Sequence, residues 1–456
     1  MRTRAFVVAL VLGIAPAGLA GGASAASTSA SVQSYVVVLK DGMGDPGAVA
    51  AALARREKGS VSHVFRYALR GFSIAMPSDR LTDLQANSDV FSVQPDVQFS
   101  ADSVQILTHS VDRVDGDLSS TVSGDHQGSV NVNVAVIDEG IDSSHPDLNV
   151  SGGVSCTGDD PIHPPAGAAH GTMVAGWIGA RDNGIGIVGV APDARLFSVQ
   201  ALHPNGRGST AEVICGIDAV TATRLDGDPS NDISVANMSL GGPNPDNSLS
   251  CATGTKDAWH RAICASVGAG VTYVASAGNE SKNFARTAPA SFDEVLTATA
   301  ITDTDGQPGA IGSPVACTVD VRGGAPHSTY RDDLVAKFSN YAADPADQAH
   351  VVAAPGVCVT STYLLSGCAT AANPNPTECY GFGSGTSFAS PVVAGTVALC
   401  IAAGPCAGLT PAQIVTKIVA DAAAYNNANP SYGYTGDPLR PITGNYYGYL
   451  IRAGNY

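Results

Sequence analysis

The chain has 456 residues, 44% of them hydrophobic, so it can bury one large α/β core and carry accessory segments. Its 24 basic and 40 acidic side chains leave a net charge of −16. That balance repels nucleic acid and anionic membrane surfaces and favours solubility.

The N-terminus opens with Arg2 and Arg4, an apolar run from Ala5 to Leu19, and Ala23-Ser24-Ala25. A basic flank, an apolar stretch and an A-x-A end read as a secretory signal over residues 1–25. Pro16 and the small-residue end argue against a membrane anchor. No later run reaches the ~20 apolar residues that a spanning helix needs, and Val392 to Gly404 fits a buried helix. The remainder is expected to be soluble, extracellular and monomeric.

Residues 26–103 form the next segment. Ser34 to Lys40 is β-branched and strand-like, Pro46 to Arg56 helical, and His63 to Ala75 strand-like around Gly71-Phe72-Ser73-Ile74. Asp79 to Asn87 reads as a second helix and Val90 to Gln94 as a last strand. The β-α-β-β-α-β order predicts a small ferredoxin-like α+β domain.

From residue 104 to 456, short apolar runs alternate with helical ones. Strands are expected at Val130–Ile137, Leu196–Ala201, Ile233–Met238 and Val271–Ala277. Helices are expected at Thr172–Ala180, Thr210–Arg224, Asp257–Ala269 and Ser390–Ala403. This alternation predicts a doubly wound, mostly parallel sheet with helices on both faces. Residues 241–250 and 369–381 read as surface loops. Cysteines stand at 156, 215, 251, 264, 317, 358, 368, 379, 400 and 406, with no C-x-x-C pair. An even count in an exported chain permits five disulfides, among which Cys251–Cys264, Cys368–Cys379 and Cys400–Cys406 are plausible local pairs. Cys215, in an expected helix, is read as a possible buried free thiol.

Three strings carry chemistry: Asp138-Glu139-Gly140, His170-Gly171-Thr172 and Gly385-Thr386-Ser387-Phe388-Ala389-Ser390-Pro391. A serine hydroxyl is a poor nucleophile near neutral pH and needs a base within hydrogen-bond reach, itself oriented by an acid. Asp138 directly follows an apolar strand, where doubly wound sheets place functional groups. Ser387 is expected in the first turn of the helix holding Pro391, with the positive helix end aimed at a developing oxyanion.

The order Asp, His, Ser and the motifs around each residue resemble subtilisin-type serine peptidases, as opposed to the His-Asp-Ser or Ser-Asp-His orders of other folds. The resemblance covers most of 104–456 and implies an endopeptidase using Asp138, His170 and Ser387. Asn279, in Ala275-Ser276-Ala277-Gly278-Asn279, matches the family's oxyanion asparagine. Ser239-Leu240-Gly241 and Gly206-Arg207-Gly208 resemble its two substrate-binding strands, and Ala275, Ser276 and Ala277 its wall for the residue before the scissile bond. Kexin-like relatives carry a Trp and an acid pair after this serine. Ser239-Leu240-Gly241-Gly242-Pro243-Asn244-Pro245-Asp246 lacks both, which implies broad, apolar specificity. Sedolisins replace the His by Glu and the Asn by Asp, and His170 with Asn279 sets this chain apart from them. Phe388 stands where many subtilisins have an oxidisable Met.

The family's strong calcium site implies side-chain oxygens from Gln105, Asp147 and Asn183 and carbonyls from Arg181, Ile185 and Ile187, an oxygen-rich set suited to calcium. Residues 26–103 resemble the family's propeptide, an intramolecular inhibitor and chaperone, with maturation expected between Ala101 and Val104. Compared with subtilisins, 306–336 and 362–380 look like disulfide-pinned extensions.

Overall fold

A computed structural model describes residues 31–96 (except 41 and 43) and 105–456 (except 166, 245–249, 318–327, 371–372 and 374–375). The expected signal at 1–25 and the expected maturation point lie outside the described residues. The chain divides into two compact units, 1–102 and 103–456.

In the first unit, β1 (Val32–Leu39), α1 (Pro46–Arg56), β2 (Ser60–Phe65), β3 (Gly71–Pro77), α2 (Leu81–Gln85) and β4 (Val90–Pro95) follow one another. The sheet order is β2-β3-β1-β4, with every pairing antiparallel. Period-two alternation turns Tyr35, Val37 and Leu39 of β1 inward with Phe72, Ile74 and Met76 of β3, against Ala50, Leu53 and Ala54 of α1. Asp45 caps α1 by accepting the Ala48 N–H at 3.0 Å, and Pro46 sits where no N–H is needed.

The second unit is built on one sheet: β5 (Asn133–Asp138), β6 (Val150–Ser155), β7 (Arg195–Gln200), β8 (Ile233–Met238), β9 (Thr272–Ser276), β10 (Val295–Thr302), β11 (Val351–Pro355) and β12 (Tyr449–Leu450). Their spatial order is β12-β11-β10-β9-β8-β5-β7-β6, and each neighbouring pair runs parallel. Strands of this kind are covered on both faces, which is why β5 and β9 are apolar runs buried throughout. On one face lie α3 (His170–Gly179), α6 (Thr386–Ala402) and α7 (Pro411–Ala428); on the other lie α4 (Thr210–Thr223) and α5 (Ala258–Gly268). The strand order reverses at β5, which has β7 on one side and β8 on the other. A crevice opens at the carboxyl ends of strands at such a point.

The structure extends and corrects the expected elements. β6, β10, β11, β12 and α7 were not foreseen, although α7 carries a full start signal: Thr410 and Gln413 form a capping box with Pro411 at the first position. Helix α6 starts four residues before the expected Ser390, so Pro391 is its sixth residue and not part of the first turn. Cys215 is no free thiol: it is joined to Cys156, tying α4 to the segment after β6. The three local disulfides form as read, and no described cysteine is free.

What organises the described part of the 306–336 extension is carboxylate chemistry. Asp332 accepts the N–H groups of Thr304 and Gly312, and Asp333 those of Gly309 and Ala310. Arg113, fully buried, donates to Asp333 at 2.7 and 3.0 Å and to the carbonyls of Tyr432 and Gly433. Asp303 joins this group, with Oδ1 3.5 Å from Arg113 Nε and accepting no hydrogen bond. Burial pushes its carboxyl up to about 8 against the pull of Arg113.

An unfolded aspartate titrates near 4, so this group favours the folded state fully below about pH 4 and loses that contribution as pH rises through about 8. Asp303→Asn removes the loss. Its melting temperature relative to wild type should therefore be several degrees higher at pH 9 than at pH 5. A difference that stays constant across that range refutes the reading.

Candidate active site

Asp138 is the last residue of β5 and fully buried; His170 is the first residue of α3 and keeps a quarter of its side chain exposed. The imidazole Nδ1 lies 2.9 Å from both carboxylate oxygens of Asp138. With Nδ1–H donating there, the other ring nitrogen, Nε2, is the one left basic.

The contact requires helix and strand to come unusually close. A Cβ on Gly171 would lie 2.2 Å from the Gly140 carbonyl oxygen and 3.2 Å from Asp138 Cβ, so only glycine fits. Two further bonds fasten the approach: Glu139 accepts the His170 N–H at 3.2 Å, and Thr172 accepts the Asp142 N–H at 3.0 Å. Behind the imidazole, Phe388 packs with ring centroids 5.4 Å apart, and its own ring lies 4.6 Å from that of Trp177, tilted by 45°.

Ser387 is the second residue of α6. Its hydroxyl lies 3.3 Å from the Ser239 carbonyl, and its own N–H is one of the first-turn donors that no helical carbonyl can take. Pro391 has no N–H, so the Ser387 carbonyl loses its helical partner. Ser239 supplies one: its hydroxyl donates to the Ser387 carbonyl at 2.6 Å. That hydroxyl in turn accepts from Asn237 Nδ2 at 2.9 Å, and Asn237 Oδ1 accepts from Ser390 at 2.6 Å. A buried chain of hydroxyls and one amide thus joins the end of β8 to the first turns of α6.

Asn279 has a fixed orientation. The Thr386 backbone N–H can only donate, and it donates to Asn279 Oδ1 at 2.8 Å; the Thr386 hydroxyl does the same at 2.9 Å. The amide nitrogen is left as the donor for the groove that Asn279 lines.

That groove has a volume of about 870 Å³ and is lined by His170, Ser387 and Asn279 together with Gly206, Arg207, Gly208, Ser239, Leu240, Gly241 and Ser276. Trp259, Arg286, Thr287 and Lys282 are also among its walls. Ala275 and Ala277 are not among the lining residues. Strand alternation leaves Ser276 at the groove and turns both alanines into the core, fully buried.

Away from the groove, Gln105, Asp147, Arg181, Asn183, Ile185 and Ile187 are drawn together. Asp147 is fully buried, and its Oδ2 accepts from the Ile187 N–H and the Tyr380 hydroxyl, each at 3.2 Å, while Oδ1 has no partner. Burial pushes this carboxyl up to about 7. The Gln105 amide nitrogen, not the expected oxygen, faces the carbonyls of Arg181 and Ile187 at 2.7 and 3.0 Å. Two carbonyls without a cation require a donor; a half-turn of the amide presents its oxygen instead. Asn183 Oδ1 accepts the Ile185 N–H at 3.0 Å. An orphaned buried carboxylate oxygen beside converging carbonyls fits a hard cation. By contrast, the group Cys251, His260, Cys264 and Glu294 is spent as a ligand set, because its cysteines form a disulfide.

Comparison with known proteins places this arrangement. A model of the Subtilase family matches residues 129–435. Subtilisin E of Bacillus subtilis (strain 168) is 30% identical over 407 residues, 89% of this chain and 89% of its own. Subtilisin of Bacillus pumilus is 35% identical over 275 residues, 60% of this chain and 78% of its own. Among solved structures, a cold-adapted subtilisin-like serine proteinase shares the fold with a TM-score of 0.50, over 77% of this chain and 99% of its own, at 23% identity. The chain belongs to the Subtilase family and is a serine endopeptidase.

Sequence reading found the strings that carry the acid, base and hydroxyl but assigned no part to Glu139 or to the Ser239 hydroxyl. For Glu139 the available signal was an acid next to Asp138 at the end of a buried strand.

The Ser239–Ser387 bond gives a direct test. In a Ser387→Ala background, which prevents self-digestion, Ser239→Ala should cost about 1–3 kcal/mol of unfolding free energy. In Pro391→Ala the helix regains an N–H for that carbonyl, so the same change should cost far less. A double-mutant cycle should therefore return a coupling of about 1 kcal/mol or more. Additive effects refute the assignment.

Proposed function

We propose that the chain is a secreted, calcium-stabilised endopeptidase, made as a zymogen, in which Ser387 attacks peptide carbonyls with His170 as base and Asp138 as its orienting acid. The observation that carries this reading is the two-oxygen contact of buried Asp138 with His170 Nδ1, in a groove that Ser387 and Asn279 also line.

In the first step the Ser387 hydroxyl oxygen bonds to the carbonyl carbon, and its proton passes to His170 Nε2. Asp138 holds the tautomer and stabilises the imidazolium. Negative charge collects on the former carbonyl oxygen, where Asn279 Nδ2 and the Ser387 N–H are the donors. Loss of one such donor costs about 10²–10³ in turnover, the size found in a subtilisin. His170 then returns the proton to the leaving amine, and water repeats the sequence on the acyl-enzyme. An extended peptide pairs with Ser239–Gly241 on one side and Gly206–Gly208 on the other. Leu240 and Trp259 support an apolar preference for the residue before the scissile bond.

Calcium, held by Asp147, Gln105, Asn183 and the carbonyls of Arg181, Ile185 and Ile187, would neutralise the Asp147 charge and brace the 181–187 loop. The first unit, preceding the peptidase unit, is read as its inhibitor and folding aid.

Ser387→Ala should lower casein hydrolysis roughly 10⁶-fold. It should also leave the chain uncleaved near 101–104, whereas N-terminal sequencing of the secreted wild type should start there. Wild-type activity should rise with pH as His170 loses its proton. A mutant that still matures unaided and digests casein removes the assignment. Separately, a calcium chelator should lower the melting temperature of the Ser387→Ala chain by several degrees, with recovery on adding calcium. No change on chelation counts against the ion.

A further inference from the structure

His170 poses an electrostatic problem that Asp138 alone meets from one side. It is the first residue of α3, where unpaired N–H groups and the helix dipole place positive potential. That potential disfavours an imidazolium, the very state a general base must reach. The residue before it, Ala169, makes no side-chain capping bond, so the helix does not supply its own compensation.

Glu139 stands at this point. It is 1% exposed. Its Oε2 accepts the His170 N–H at 3.2 Å, its own N–H donates to Asp138 Oδ1 at 2.8 Å, and its carbonyl accepts from Gln200 Nε2 at 3.1 Å. One residue thus touches the helix start, the orienting acid and the neighbouring strand, and it also lines the groove. We propose that Glu139 is a positioning residue for His170: a capping carboxylate supplied from the residue after β5 that holds the main chain of the histidine and offsets the positive helix end behind its imidazole.

Among the described residues, the other charged groups around His170 are placed differently. Asp138 contacts the ring. Asp142 is committed to Ser144 and to the Leu365 N–H. Arg207, Glu280, Lys282 and Arg286 line the groove from other loops. From α6, the residues at the site are Ser387 and Phe388, which add no charge.

The inference rests on the peptidase reading, and its test separates the two. Glu139→Gln keeps an acceptor for the His170 N–H and removes the charge; Glu139→Ala removes both. The first readout is kcat/KM against pH on a chromogenic peptide. The second is the NMR titration of the His170 ring in the Ser387→Ala chain, which needs no activity. In Glu139→Gln both the acid limb and the NMR midpoint should move down by about one pH unit, with KM unchanged. Glu139→Ala should show the same shift and a further loss of about tenfold in kcat at the alkaline plateau, since the base is then also misplaced. A midpoint that does not move in Glu139→Gln overturns the proposal, whatever the stability of the variant. Wild type that leaves casein intact overturns the peptidase reading instead, and the NMR midpoint still decides the part played by Glu139.

Discussion

The distance between the start of α3 and the end of β5 governs the rest of the molecule. A side chain at position 171 would push the start of α3 off the strand's continuation, because its Cβ would lie 2.2 Å from the Gly140 carbonyl oxygen. Here a glycine on the helix meets the main chain of the strand's continuation, and the gap closes. Once it closes, the imidazole, the carboxylate and the capping Glu139 have little freedom left. The precision of the site comes from packing, and the hydrogen bonds record it.

A second helix repeats the arrangement from below. Helix α6 is buried along almost its whole length, which places Ser387 rigidly at the rim of the sheet. Its early turn is broken by Pro391, and the broken bond is replaced by Ser239 from the adjoining strand. The wall of the groove and the helix that carries Ser387, the proposed nucleophile, therefore share one hydrogen-bond chain. On the proposed reading, a change in the wall is felt at the serine, which couples substrate preference to catalytic rate.

Much of this was legible in the residues. The acid, base and hydroxyl stand in strings distinctive enough to find, and the apolar runs at β5, β8 and β9 mark the central strands because they are buried on both faces. What escaped has physical reasons. The start of α6 was misplaced because Gly385-Thr386-Ser387 has poor helix propensity; tertiary bonds from Asn279 to Thr386 hold it. Cys156 and Cys215 are 59 residues apart, and no local spacing announces such a pair. The turn of the 303–312 loop around Asp332 and Asp333 depends on residues some 20 to 30 positions away, beyond the reach of any local pattern.

The buried Arg113 has a topological consequence. Beside it, the Ala453 N–H donates to the Val114 carbonyl, the Ser120 N–H to the Tyr456 carbonyl, and Arg452 pairs with Asp115 at 2.5 Å, across 337 residues of sequence. The opening and closing stretches of the second unit are sewn together at one seam, as in a ring closed without a covalent bond. Unravelling from either side has to break the same buried contacts, so neither stretch can fray by itself. For a serine endopeptidase, such closure leaves the surface loops, and not the two joined stretches, as the points where a cut could first open this unit.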